Sequence, residues 1–127
     1  ANIFKALQDG FREDMATVSA ATILDETSEG VVISLPDAAS SRRASGTYGN
    51  QLAQENPDRA HAILTAQDSQ EGRGYLVSIR APLSKRSGAD TLAMKFETGG
   101  GRAAAAGINH LPDSDLSDFI KAFRDAF

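Results

Sequence analysis

Hydrophobic residues recur at helical spacing at the start of the chain, where Ile3, Phe4, Leu7, Phe11 and Met15 alternate with Lys5, Asp9, Arg12 and Glu13. This spacing predicts an amphipathic helix within residues 1–16. The pattern then changes period. Thr17 to Leu24 is rich in β-branched residues, and Asp25, Glu26, Ser28 and Gly30 form a turn into Val31, Val32, Ile33, Ser34 and Leu35, a second strand closed by Pro36. Asp37 to Arg43 reads as a polar loop, and Ser45 to Glu55 as a helix that stops before Asn56 and Pro57. Gly46 and Gly49 blur where that helix begins.

Two further strands are expected at Ala60 to Thr65 and Tyr75 to Ala81, joined by the polar stretch Gln67 to Gly74. On the second of them the two-residue period puts Leu76, Ser78 and Arg80 on one face. Ala89 to Phe96 predicts a short helix, interrupted by the run Gly99 to Gly101. Ala103 to Asn109 is a small-residue segment expected to end in a strand. Asp113 or Ser114 is expected to cap a last helix bearing Leu116, Phe119, Ile120, Phe123 and Phe127, with Asp115 and Asp118 suited to its positive end. Strands alternating with helices after an initial hairpin predict an α/β domain with a mixed β-sheet and helices packed on it.

Composition narrows the classes. The 127 residues suit one domain over 1–127, with 41% hydrophobic and 24% charged residues, which is globular composition. Thirteen Lys and Arg against seventeen Asp and Glu give a net charge of −4, so no global basic field attracts nucleic acid and any phosphate site must be local. The chain has no cysteine, which removes disulfides, thiolate metal sites and a thiol nucleophile. No apolar run approaches the roughly 20 residues that span a bilayer, so a soluble, cytoplasmic protein without membrane contact is expected. The chain opens on Ala1 rather than methionine, which suggests processing or a piece of a longer protein.

Candidate chemistry concentrates at Gly99-Gly100-Gly101-Arg102-Ala103-Ala104-Ala105-Ala106-Gly107. Glycines can aim successive N–H groups into an anion-binding concavity, and Arg102 adds a planar fork for phosphate oxygens. The plainer alternative is a tight turn beside a crowded helix–sheet contact. Arg80 has a bland alternative as well, a surface pairing with a carboxylate, and Arg42 and Arg43 are either a basic rim or a solvated loop. His61 and His110 stand apart from any metal-binding pattern, and no serine sits in a nucleophile elbow, so neither catalytic nor metal residues are assigned.

The order of these segments resembles the DHHA1 domain of DHH phosphoesterases, which include RecJ-type exonucleases and oligoribonucleases. There a V-S-x-R strand precedes a helix, a G-G-G-H loop and an A-A-G segment, matched here by Val77 to Arg80, Gly99 to Arg102 and Ala105 to Gly107. The resemblance implies a DHHA1-like domain that faces a separate DHH catalytic domain of the same parent protein. It implies that Ser78, Arg80, Gly99, Gly100, Gly101, Arg102, Ala105, Ala106 and Gly107 grip the phosphate or end of a short single-stranded nucleic acid, or another phosphoester. Manganese or another divalent metal is implied on the DHH domain, since the Asp-His-His motif is absent from this chain, and no cofactor is implied here. Arg102 departs from the usual histidine and cannot shuttle protons near neutral pH. It is similar to a G-G-G-R stretch in the C-terminal domain of alanyl-tRNA synthetases, which keeps a tRNA-contacting or assembly module open. A purely structural cap and a homodimer also remain open. With Tyr48 and Tyr75 the only tyrosines and no tryptophan, few aromatics are available to stack on bases.

Overall fold

The computed structural model describes residues 21–37, 39–69 and 72–127, with side chains omitted for 39–45 and 69. The helix expected within residues 1–16 lies outside the described residues.

Six strands form one sheet in the order β1-β2-β3-β4-β6-β5. The hairpin of β1 (Thr22–Glu26) and β2 (Gly30–Leu35) is closed by Thr27, whose Oγ1 accepts the Gly30 N–H at 3.1 Å. Asp25 and Glu26, expected in the turn, belong to the edge strand β1, where Arg124 Nε donates to Asp25 at 2.8 Å and Arg59 to Glu26 at 2.9 Å. β2 runs parallel to β3 (Ala60–Ser69), the one parallel pair among the described strands. A parallel pair requires a crossover of a dozen or more residues. That crossover contains α1 (Ala39–Glu55), which begins several residues before the expected start, inside the stretch read as a loop. Serines at 40 and 41 are indifferent helix formers on their own; the packing of Tyr48 and Leu52 onto Val31, Ile33 and Ile63 holds the helix in place.

β3 and β4 (Gly72–Arg80) form a long antiparallel hairpin. The polar residues expected to be its turn continue the ladder instead, with Gln67 opposite Gly74 and Asp68 opposite Arg73. Polarity marks exposure there, not loss of pairing. After α2 (Ala89–Ala93), β5 (Gly99–Gly101) and β6 (Ala105–Pro112) complete the sheet. A 3-10 turn at Asp113–Asp115 leads into α3 (Leu116–Ala126). Neither Asp113 nor Ser114 caps α3; Asp115 occupies that position without a side-chain capping bond, because the preceding tight turn carries the chain into the helix.

The helices divide between the two faces. Phe119 and Phe123 of α3 and Leu92 of α2 bury against Val32, Leu64, Val77, Ile79 and Ile108. Phe96, Phe119, Phe123 and Phe127 form a chain of tilted rings with centroids 5.2–6.2 Å apart. On the other face α1 packs over β2, β3 and β4. The fold is thus a mixed six-stranded α/β sheet with helices on it, and the part of the second face over β6 and β5 has no helix upon it among the described residues.

Candidate functional site

Strand alternation sorts the expected site residues between these faces. Ser78 lies opposite Gly107, which lies opposite Gly100, so these three form one row across β4, β6 and β5. Arg80 lies opposite Ala105 in the adjoining row. Ile63, packed under α1, lies opposite Ser78, so these rows are on the α1 side, where the sheet is open beyond β4. Ala106 instead points to the opposite face and belongs to the core with α2 and α3.

The glycine run is an edge strand rather than a loop. The Gly99 N–H is taken by the Phe96 carbonyl at 3.0 Å, Gly100 pairs across to Gly107, and the Arg102 N–H donates to the Ala105 carbonyl at 2.8 Å. Successive N–H groups therefore do not converge on one concavity. Gly99 and Gly101 have packing reasons: a Cβ at Gly99 would collide with the Ala93 carbonyl, and Gly101 has φ +140° and lies against the Ala106 backbone. Gly100 is different, because a Cβ there would meet nothing within 4 Å. Of the three, it is the one that faces the open surface without a packing demand.

Arg80 is the centre of the arrangement. Its Nη1 donates to Ser78 Oγ at 2.9 Å and to the Ile79 carbonyl at 3.3 Å, and its Nε donates to Asn50 Oδ1 at 3.3 Å. All three acceptors are neutral, and among the described residues no carboxylate pairs with it. Burial holds its pKa below the ordinary arginine value, with no acid nearby to offset that effect. A partly desolvated cation without an anion is electrostatically incomplete. Ser78, by accepting from Arg80, keeps its own hydroxyl proton available to a ligand.

Arg80 also lines a cleft of about 310 Å³ between the second half of α1, the segment after β4 and the start of β6. Arg86, Asn50 and Gln54 line it with Arg80, and Leu83, Ala104 and Ala105 form apolar wall, with no carboxylate among its residues. Pattern reading missed Arg86 and Asn50, since one follows a turn and the other sits in a helix without motif character. Arg102 is exposed, does not line this cleft and has no side-chain bond or ion pair among the described residues. Arg42 and Arg43 fall within α1 rather than a loop, with their side chains outside the described residues.

The remaining titratable candidates lie elsewhere. His61 is 1% exposed beneath α1, both ring nitrogens lack partners among the described residues, and burial, aided by the Arg59 charge, lowers its pKa to about 4. His110 is buried on β6, with its backbone N–H bonded to Thr98 Oγ1 at 2.8 Å. A second cleft, also about 310 Å³, lies at the other end of β4 and gathers Asp37, Asp68, Asp113 and Arg73. Its acidic lining is unsuited to an anion. Among the described residues no three His, Cys, Asp or Glu side chains stand together as metal ligands, so the metal implied for a DHH domain finds no fitting donor set among them. No described helix is long and apolar enough to cross a membrane.

No protein-family model matches the chain, and no curated protein matches it in sequence. Solved structures do. An exopolyphosphatase-related protein from Bacteroides fragilis aligns over 99% of this chain and 34% of its own, with 19% identity and a TM-score of 0.54. The pGpG-specific phosphodiesterase PggH from Vibrio cholerae aligns over 99% of this chain and 42% of its own, with 14% identity and a TM-score of 0.55. The chain spans well under half the length of either protein, and the fold built here is one that both share.

Proposed function

We propose that this chain is the substrate-binding part of a DHH-type phosphoesterase, a DHHA1-like domain that holds the phosphate of its substrate at Arg80 and Ser78. The observation that carries the reading is the partly buried Arg80 guanidinium, held by three neutral oxygens and facing a cleft without carboxylates. A phosphate oxygen there would complete its coordination as a charge-assisted bond. Gly100 and Gly107 add a flat approach to the same face, because neither presents a side chain between the ligand and the strand backbone. Likeness in fold to two proteins with phosphoester-related names supports the same class.

In this reading hydrolysis takes place on a separate DHH domain, whose divalent metal would supply the activated water. This chain binds and orients. Its contribution to rate is the binding energy of the substrate parts remote from the scissile bond. A cap whose glycines serve only packing is favoured by Gly99 and Gly101, which packing explains in full, but that reading leaves Arg80 and the open row unexplained.

Fluorescence anisotropy of a short labelled single-stranded oligonucleotide tests the proposal. Binding is expected to weaken about tenfold or more in Arg80→Gln, which removes a charge-assisted contact, and to fall with rising salt. Arg102→Ala is expected to have the smaller effect, since Arg102 lies outside the cleft. Binding indifferent to Arg80→Gln would overturn the reading.

A further inference from the structure

The segment that follows β4 lines two clefts. Leu83 and Arg86 belong to the one beside Arg80, whereas Pro82, Ser84, Lys85 and Ser87 line another, of about 400 Å³, which shares no residue with the first. We infer that this cleft is a second binding site, separate from the phosphate site, for a small dipolar ligand of the α-amino acid class with an apolar side chain.

Four parts of the chain meet around it. Glu29 comes from the β1–β2 turn, Asp58 from the turn between α1 and β3, Lys85 from the segment after β4, and Phe127 from the residue that follows α3. Backbone hydrogen bonds hold the rim together: the Ala60 N–H donates to the Glu29 carbonyl at 2.9 Å, the Ser84 N–H to the Pro57 carbonyl at 3.0 Å, and the Ser87 N–H to the Lys85 carbonyl at 2.8 Å. A rim fixed before the ligand arrives loses little freedom on binding. The apolar part of the lining is fixed as well. The Phe127 ring packs on Phe123 with centroids 5.2 Å apart, and Gly88, at φ +103°, presents no side chain to cover it. A Cβ at Gly88 would already stand 3.4 Å from that ring.

The polar lining carries both signs of charge. Among the described residues Lys85 forms no ion pair with Glu29 or Asp58, and the Ser84 and Ser87 hydroxyls make no hydrogen bond. Two negative charges and one positive charge therefore border one space without meeting across it. A single ion would be drawn by one sign and opposed by the other, and a neutral apolar molecule would use neither. A dipolar ligand uses both. An ammonium group brings three donors, enough for the two carboxylates, while a carboxylate accepts from Lys85 Nζ and from a serine hydroxyl. In an α-amino acid these two groups and the side chain branch from one carbon, so the side chain reaches the Phe127 ring and Pro82 while both charges are held at the rim.

Amide NMR titration of the 127-residue chain with L-leucine, glycine, leucinamide and N-acetylleucine separates these contributions. L-Leucine is expected to give saturable shifts at Glu29, Asp58, Lys85, Gly88 and Phe127. Glycine lacks the side chain, leucinamide the carboxylate and N-acetylleucine the ammonium, and each is expected to bind about fivefold more weakly, the loss of one contact at an exposed site. Lys85→Met should weaken L-leucine about fivefold while leaving leucinamide within about twofold of its original affinity. Asp58→Asn should weaken L-leucine and leave N-acetylleucine within about twofold. Both positions are exposed, so the fold is expected to stand in either variant. Saturating pyrophosphate should not displace L-leucine, because the two clefts share no residue. No saturable shift with L-leucine, or shifts confined to other surfaces, would overturn the inference. So would leucinamide or N-acetylleucine binding as tightly as L-leucine, an L-leucine affinity unmoved in both variants, or displacement of L-leucine by pyrophosphate.

Discussion

His61 gives the fold a specific sensitivity to acid. Its ring is 1% exposed on β3, opposite Arg80 on one side and Val31 on the other, and neither nitrogen has a hydrogen-bond partner among the described residues. Burial first, and the Arg59 charge second, lower its pKa from 6.5 to about 4. The unfolded chain takes up this proton near pH 6.5, while the folded chain resists it until about pH 4. Stability is therefore greatest above pH 6.5 and is lost progressively as the pH falls from 6.5 toward 4. Between pH 7.5 and 5 the loss amounts to about 2 kcal/mol. Urea unfolding followed by circular dichroism at pH 7.5, 6 and 5 reads this directly, and the midpoint is expected to fall by about 1 M over the range. The lowered Asp25 pKa, held down by its hydrogen bond to Arg124, acts below the ordinary carboxylate range and leaves this window clear. His61→Leu, close in volume and free of unsatisfied nitrogens, should remove most of the dependence with little loss at pH 7.5. An unchanged midpoint from pH 7.5 to 5, or an equal fall in His61→Leu, would refute the reasoning.

Other consequences concern the glycine run and the core. Gly99→Ala is expected to cost about 2 kcal/mol or more by thermal unfolding, because its Cβ would meet the Ala93 carbonyl, whereas Gly100→Ala should change stability by less than about 1 kcal/mol. If packing is the only role of the run, Gly100→Ala will leave phosphate binding untouched; the open-row reading expects it to weaken binding. Phe119→Ala is expected to destabilise the chain by about 3–5 kcal/mol in urea, since the ring is fully buried between Phe96 and Phe123.

Much of the architecture is legible in the sequence because burial leaves a periodic trace. Val77 and Ile79 alternating with Ser78 and Arg80 fix both the strand β4 and the face on which the candidate site lies. Phe119 and Phe123 do the same for α3. The ladder pairs Gln67–Gly74 and Asp68–Arg73 leave no such trace, since paired but exposed backbone tolerates polar side chains. The start of α1 is hidden for a related reason: its helical state is imposed by the crossover between β2 and β3 rather than by its own residues. At the site, motif reading names Ser78, Arg80, Gly100, Ala105 and Gly107, which the structure brings to one face, but it does not separate them from Gly99, Gly101 and Ala106, which turn to the packing side. That distinction depends on strand register. Nor does motif reading find Asn50, Leu83 and Arg86, which reach the cleft from α1 and from the segment after β4 and share no motif spacing.

The surface around Arg80 is expected to bind phosphate. A titration of the isotopically labelled chain with inorganic pyrophosphate, followed by amide NMR shifts, tests it residue by residue. The predicted result is a saturable set of shifts centred on Asn50, Ser78, Arg80, Gly100 and Ala105, absent in Arg80→Gln. Shifts confined to other surfaces, or no saturable shift at all, would contradict it.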